Sequence, residues 1–195
     1  MRHLSKAAAL TLVAEEARAI DAGFDGCAMC AAVAAVTPRS ELAADHEIGL
    51  KRSQIEHHSA EAIRASVLAE DDVAIAMLDR FAARPGHSVV VLRRHVESIA
   101  ELPWDEYAAV QRLAWETARA LTAALSPVRV YVAALGATRR IPMSFPHHHV
   151  HVIPLTDGGE IDRPASVLTW SHGVHVFEPG EMEGFAERVR AAWPR

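Results

Sequence analysis

Between Phe145 and Pro154 the chain reads FPHHHVHVIP, with four histidines in ten residues and an almost wholly apolar remainder. A short run of this kind reads as a strand, and along a strand successive side chains point to opposite faces. His147, His149, His151 and Ile153 therefore share one face, and His148, Val150 and Val152 share the other. Burial among apolar cross-strand neighbours favours the neutral ring, which carries one N–H and one lone pair. Once a carbonyl accepts the N–H, the second nitrogen is left as a metal ligand or a nucleophile. Such a row can bind a metal, supply a nucleophile with orienting neighbours, or be three inert rings satisfied by backbone.

The remaining sequence sets a frame around this row. A length of 195 residues favours one domain, 1–195, with a 1–26 helical extension, an insertion at 31–66 and a C-terminal extension at 156–195. Lys+Arg number 20 against 25 Asp+Glu, a net charge of −5, so nothing global draws the chain to nucleic acid or an anionic membrane. No apolar run approaches the ~20 residues of a membrane span. The start, MRHLSKAAALTLVA, has the basic-then-apolar order of a secretory signal, with Ala17-Arg18-Ala19 as a small-x-small site. Glu15 and Glu16 follow at once, however, and Leu4, Ala8, Leu12, Glu15 and Ala19 trace one mostly apolar helical stripe. A helix over 4–21 in a cytoplasmic protein is the expectation.

Residues 27–37 read as a turn and a short helix closed by Pro38, and 39–66 as loop and helix. VAIAMLD (73–79) and HSVVVLR (87–93) read as strands around the turn RPG (84–86). Ser98 and Glu101 have capping-box spacing, and Pro103 suits the first turn of a long helix over 104–125. Val110, Leu113, Thr117, Leu121 and Leu125 fall near one face of that helix. Strands follow at 128–135 and 148–154, a turn at 157–159, one further strand within VLTWSHGVHVF, and a closing helix. This order predicts an α+β fold with an antiparallel sheet and a long packed helix.

The only cysteines, Cys27 and Cys30, form CAMC. Two cysteines are not a disulfide scaffold. The pair can be a redox couple, half of a zinc site or two small buried residues.

His147-His148-His149-Val150-His151-Val152-Ile153 resembles the motif of the histidine triad (HIT) superfamily: His, any, His, apolar, His, apolar, apolar. His148 stands where an apolar residue is usual. AEDDVAIAMLDRFAARPGHSVVVLRRHVESIAELP (69–103) resembles the family's N-terminal half, with a strand ending in Leu-Asp, a Pro-Gly-His turn and a basic-basic-His-Val segment. With CAMC, the resemblance covers 27–155 apart from the insertion. It implies the HIT fold, usually homodimeric through the long helix and sheet edge, acting on nucleotides or nucleotide conjugates. It implies attack on an α-phosphate by His149 through a nucleotidyl-imidazole, with His151 and Ser144 at the phosphate. It also implies Asp79 at the ribose and Met77 and Met29 at the base. In the zinc-containing branch of these hydrolases and transferases, Cys27, Cys30, His95 and His147 would hold a structural zinc ion.

The pattern departs just before the triad, where a polar pair is usual and the chain has Met143-Ser144. An upstream asparagine is also missing from the loop Gly136-Ala137-Thr138-Arg139-Arg140. Arg139 and Arg140 could replace lost amides with charge or form a solvated turn. His57-His58 could bind metal or phosphate, or be solvated. These changes bear on the leaving group, so a hydrolase, a nucleotidyltransferase with the same intermediate and a weakly catalytic nucleotide-binding module are the functions expected.

Overall fold

The computed structural model describes residues 1–24, 26–41, 60–136, 140, 145–178 and 180–194. Its elements in chain order are β1 (Arg2–Leu4), α1 (Lys6–Phe24), α2 (Ala28–Val36), α3 (Ala60–Ser66), β2 (Val67–Glu70), β3 (Ala74–Leu78) and β4 (Ser88–Leu92). Then come α4 (Trp104–Leu125), β5 (Arg129–Ala133), β6 (His149–Leu155), α5 (Pro164–Leu168), β7 (Val174–Val176) and α6 (Glu181–Ala191). Five strands form one antiparallel sheet in the order β2-β3-β4-β6-β5. The α4 crossover lets β5 take the edge, and β6, with the histidine row, lies between β4 and β5.

Both faces of the sheet are covered, which explains the nearly continuous apolar runs of β3 and β4. On one face Ala74, Ala76, Leu78, Val90, Leu92, Val150 and Val152 pack with Val110, Leu113, Ala114 and Leu121 of α4 and with Ala186 and Val189 of α6. On the other, Ile75, Met77, Val89 and Val91 meet Met29, Ala32, Val33 and Val36 of α2. The short helix expected within 27–37 is α2, packed against the sheet.

The long helix has the expected ends. Pro103 sits at its N-cap, and Ser126 closes it at φ +50°, the left-handed turn that lets the chain leave for β5. The capping box of Ser98 and Glu101 is formed, but it closes a single 3-10 turn at Ile99–Glu101 rather than opening α4. In the turn between β3 and β4, Gly86 has φ +89°, and an added Cβ would lie 2.8 Å from Leu125 and 3.1 Å from Pro154. Only glycine fits both that conformation and that packing.

Three features differ from the sequence expectations. Helix α1 runs to Phe24 rather than ending near Asp21. Strand β2 follows α3 with no breaker residue between them, so nothing in the local sequence marks it. The expected strand after the triad forms as β7, but it pairs with β1 in a separate two-stranded sheet, Arg2 opposite Val176 and Leu4 opposite Val174. Three residues are too few to display a period, and the partner is about 170 positions away.

His148 lies on the core side of the triad strand and is buried. No group among the described residues meets its Nε2. A buried nitrogen without a partner costs about 1–3 kcal/mol. Replacing His148 with leucine, of similar volume, is expected to raise stability by about 1 kcal/mol. For a chain of this size that is a rise in Tm of about 2–4 °C, measurable by calorimetry; a lower Tm would mean that the ring is well solvated or paired.

Candidate active site and metal centre

His149 and His151 sit opposite Val91 and Val89 of β4, which lie opposite Ile75 and Met77 of β3. The histidine row therefore borders an apolar floor. Met77 and Met29 pack in the same cluster, Met77 from that floor and Met29 from α2, between the two cysteines.

Hydrogen bonds assign each imidazole a tautomer. His147 donates from Nε2 to the carbonyl of Leu92 (2.6 Å), which leaves the lone pair on Nδ1. His149 donates from Nδ1 to the carbonyl of His147 (2.7 Å), which leaves the lone pair on Nε2. At the far end, the N–H of Ala83 donates to Nδ1 of His87 (3.2 Å), so the ring proton of His87 is on Nε2. That proton is donated to Nδ1 of His151 (3.0 Å), and Nε2–H of His151 then faces Nε2 of His149 (3.2 Å). Backbone groups at both ends thus fix a relay His87–His151–His149 in which every proton has one position.

Burial keeps these rings neutral. It pushes the pKa of His149 below the usual imidazole range and that of His151 down to about 3, aided in the latter by neighbouring His149. His87 is pushed well down by burial and then by the other two rings. What the arrangement offers is an uncharged imidazole with its lone pair on Nε2 of His149, engaged only by the N–H of His151, the elements of a nucleophile with a donor beside it.

Asp79 ends β3 next to this relay. Its Oδ1 accepts from the N–H of Phe81 (2.9 Å) and its Oδ2 lies 3.5 Å from Nδ1 of His87. Since that nitrogen is the acceptor of the Ala83 N–H, the contact is no ion pair. Burial pushes the Asp79 carboxyl up to about 7, against the hydrogen bond from Phe81. Asp79, His87 and His151 offer a metal-capable set of atoms within 4.8 Å of one another. The relay, however, spends Nε2–H of His87 on Nδ1 of His151.

A second cluster adjoins the first. Cys27, Cys30, His95 and His147 each bring one donor atom within 4.8 Å of the others. The Sγ atoms of Cys27 and Cys30 lie 3.5 Å from Nδ1 of His147, and Sγ of Cys30 lies 3.2 Å from Nδ1 of His95. Cys27 is the N-cap of α2 and accepts from the N–H of Cys30 (3.4 Å). The Cys30 side chain donating to it pulls the Cys27 thiol down to about 3, against burial. Two sulfurs and an imidazole whose lone pair is turned toward them suit a tetrahedral ion of zinc's softness.

Of the residues singled out in the sequence, His149, His151, Asp79 and Met77 thus line one region, and Cys27, Cys30, His95 and His147 gather beside it, with Met29 packed on the apolar floor. Ser144, with Met143, Arg139, His57 and His58, lies outside the described residues. Arg140 is exposed. The sequence reading assigned His87 no role in the site, only a place at the Pro-Gly-His turn and the start of the strand HSVVVLR. A histidine opening a run of β-branched core residues was the available signal.

The HIT domain family model matches residues 60–158, about half of the chain. The chain belongs to this family. An uncharacterized 16.1 kDa HIT-like protein of Mycoplasma pneumoniae is 30% identical over 98 residues, which are 50% of this chain and 67% of that protein. The fold is similar to that of a HIT-like protein involved in cell-cycle regulation from Bartonella henselae, with TM-score 0.53 and 22% identity over 68% of this chain and 89% of that one. It is also similar to a zinc-bound histidine triad family protein from Mycobacterium smegmatis, with TM-score 0.50 and 21% identity over 65% and 81% of the two chains. Diadenosine triphosphate hydrolase of Plasmodium falciparum has TM-score 0.52 and 12% identity over 66% and 76%. Family membership supports, in general, an activity of the nucleotide hydrolase or transferase type.

Proposed function

We propose that this protein is a nucleotide hydrolase that attacks the α-phosphate of a dinucleoside polyphosphate or nucleoside phosphoramidate through a nucleotidyl intermediate on His149. The observation that carries this reading is the bond from Nδ1 of His149 to the carbonyl of His147, which puts the lone pair on Nε2, where it meets the N–H of His151 that a phosphate would displace. In the first step the N–P bond forms, the bond to the leaving group breaks, and the proton on Nε2 of His151 is available to the departing atom or the phosphate. In the second, water attacks phosphorus, its proton returns to Nε2 of His151, the N–P bond breaks and His149 leaves as a neutral imidazole. Ser144 would meet the phosphate side, and Met77 and Met29 would hold the base against the apolar floor. The P. falciparum relative, a diadenosine triphosphate hydrolase by name, is in keeping with the substrate class.

Cys27, Cys30, His95 and His147 would hold a zinc ion, as the zinc-bound M. smegmatis relative suggests. With four protein ligands such a centre is closed and structural, tying α2 to the start of the triad strand. A homodimer through α4 and the β5 edge suits the exposure of Trp115, Val128, Val132 and Leu135. No helix among the described residues is long and apolar enough to cross a membrane.

The deciding experiment incubates zinc-loaded protein with dinucleoside polyphosphates, phosphoramidates and nucleotide sugars, with and without phosphate acceptors, and follows release of nucleoside monophosphate. No release from any of them by folded protein would overturn the reading; product formed only with an acceptor would make the enzyme a transferase.

Asp79 would accept the ribose hydroxyls, and this role opposes stability. A carboxyl whose folded pKa is raised loses stability as pH climbs from its unfolded value, near 4, to about 7, and the penalty is complete above that. Its side chain is 21% exposed, which moderates the cost. Asp79→Asn, which can keep the bond to Phe81, is expected to stabilise the free protein by about 1–2 kcal/mol at pH 8 and not at all near pH 4. It should also weaken nucleotide binding by about tenfold or more. Thermal melts at the two pH values and nucleotide titration check both signs.

A further inference from the structure

The turn between β3 and β4 carries Asp79 at one end and His87 at the other. It is fastened from two places that lie after the triad strand, almost wholly beyond the family match at 60–158. The first is an ion pair. Arg84 donates from Nε to Oδ1 of Asp162 (2.6 Å), from Nη2 to the carbonyl of Ile161 and from Nη1 to the carbonyl of Ala83 (2.5 Å). Both partners are buried, with side chains 8% and 3% exposed. The other oxygen of Asp162 takes the N–H groups of Asp157 (3.2 Å) and Gly158 (2.8 Å), and its main-chain carbonyl takes the hydroxyl of Tyr131 (3.0 Å). The second fastening is a backbone bridge. Ala82 and His175 of β7 exchange both N–H···O bonds, at 3.0 and 2.7 Å.

Between these fastenings lies Ala83. Its carbonyl is held by Arg84, and its N–H is the group that fixes the proton of His87. A buried ion pair is a poor source of stability, because desolvating both charges offsets most of their attraction; its better-attested use is to specify one arrangement. Here the arrangement specified is the Ala83–Arg84 peptide, which directly follows the Ala82–Ala83 peptide whose N–H sets the first proton of the relay and whose carbonyl His175 holds.

We propose that Arg84 and Asp162 are positioning residues for the histidine relay: the segment after the triad strand reaches back, clamps the Ala83–Arg84 peptide beside the Ala82–Ala83 peptide bridged to β7, and so keeps the Ala83 N–H on His87 and His87 in the tautomer that aims the His151 N–H at His149. The kinetic consequence rests on the function proposed above; the tautomer does not. A clasp of the fold alone would leave the relay unchanged in whatever protein remained folded.

The test pairs R84M with D162L, so that two apolar groups of similar size replace the ion pair, a change that is often neutral in stability. R84K, which keeps the charge but loses the fork, and D162N are compared with it. Imidazole nitrogen NMR of the zinc-loaded protein reads each tautomer without substrate. In the double variant His87 is expected to lose its single Nε2–H form and populate both tautomers, and kcat for nucleotide release to fall about 10–100-fold with KM nearly unchanged. R84K should recover part of this. A double variant that keeps the His87 tautomer and wild-type kcat while only its Tm changes would overturn the proposal. If it fails to fold, D162N is read by the same two criteria. A wild-type protein inactive on every substrate, in which the double variant still changes the tautomer, would sink the hydrolase reading and leave the clamp standing.

Discussion

Replacing His149 with alanine is expected to lower nucleotide release by about 10⁴-fold or more, the scale of removing a nucleophile, while bound zinc stays at its wild-type content. The two outcomes separate because His149 leans on the metal cluster only through the carbonyl of His147, a group that the substitution leaves in place. Wild-type enzyme quenched in alkali during turnover, where an N–P bond survives, should carry one nucleotidyl group on His149, and the variant none. His151 supplies a donor rather than the attacking atom, so its removal should cost less. Release within tenfold of wild type from the His149 variant, or an adduct mapped to another residue, would falsify the covalent route.

Loss of the metal centre should have the largest effect on stability. Zinc at about 1,000 times its Kd stabilises the folded state by about 4 kcal/mol, which for a chain of this size is a Tm change of about 8–16 °C. Cys27→Ala, which removes a buried member of the Cys/His cluster at the N-cap of α2, is expected to cost most of this and to drop zinc content well below one per chain. A chelator should lower the Tm of the wild-type protein, reversibly on adding zinc, and leave that of the variant unmoved; this separates the metal from the small cavity left by the thiol. Because the ligands must be deprotonated, bound zinc should be lost as pH falls. Activity should fall with it, since His147 is both a member of the cluster and the residue whose carbonyl orients His149. A Cys27 variant that holds one zinc and melts within 2 °C of wild type would remove the four-residue centre from the account.

Much of this site was legible in the sequence because it is written in periods and short motifs. Alternation placed His149 and His151 on one face, and β6 has them there, opposite Val91 and Val89. The helix over 104–125 was legible down to its ends, since its apolar stripe, Pro103 and Ser126-Pro127 are all local signals. The resemblance to the histidine triad pattern gathered Cys27, Cys30, His95 and His147 in advance, though they are up to 120 positions apart. What stayed illegible had no local signal. Strand β1 has three residues, the expected strand β7 carried no sign that it would pair with β1, and β2 follows a helix with no punctuation. Asp162 sits in an ordinary polar turn whose only peculiarity is the buried arginine it meets, 78 positions away.

The sequence by itself thus determined which groups could do chemistry: a row of imidazoles on one face of a strand, two thiols at a helix start, and a carboxylate closing a core strand. The tertiary structure alone decided which nitrogen of each ring is free, because a tautomer is chosen by the group across the gap. Leu92 chooses for His147, the His147 carbonyl for His149, and the Ala83 N–H for His87 and through it His151. A residue type carries its donors and acceptors wherever it stands in a chain, but a buried hydrogen bond belongs to two groups at once, and only folding brings the second one into reach.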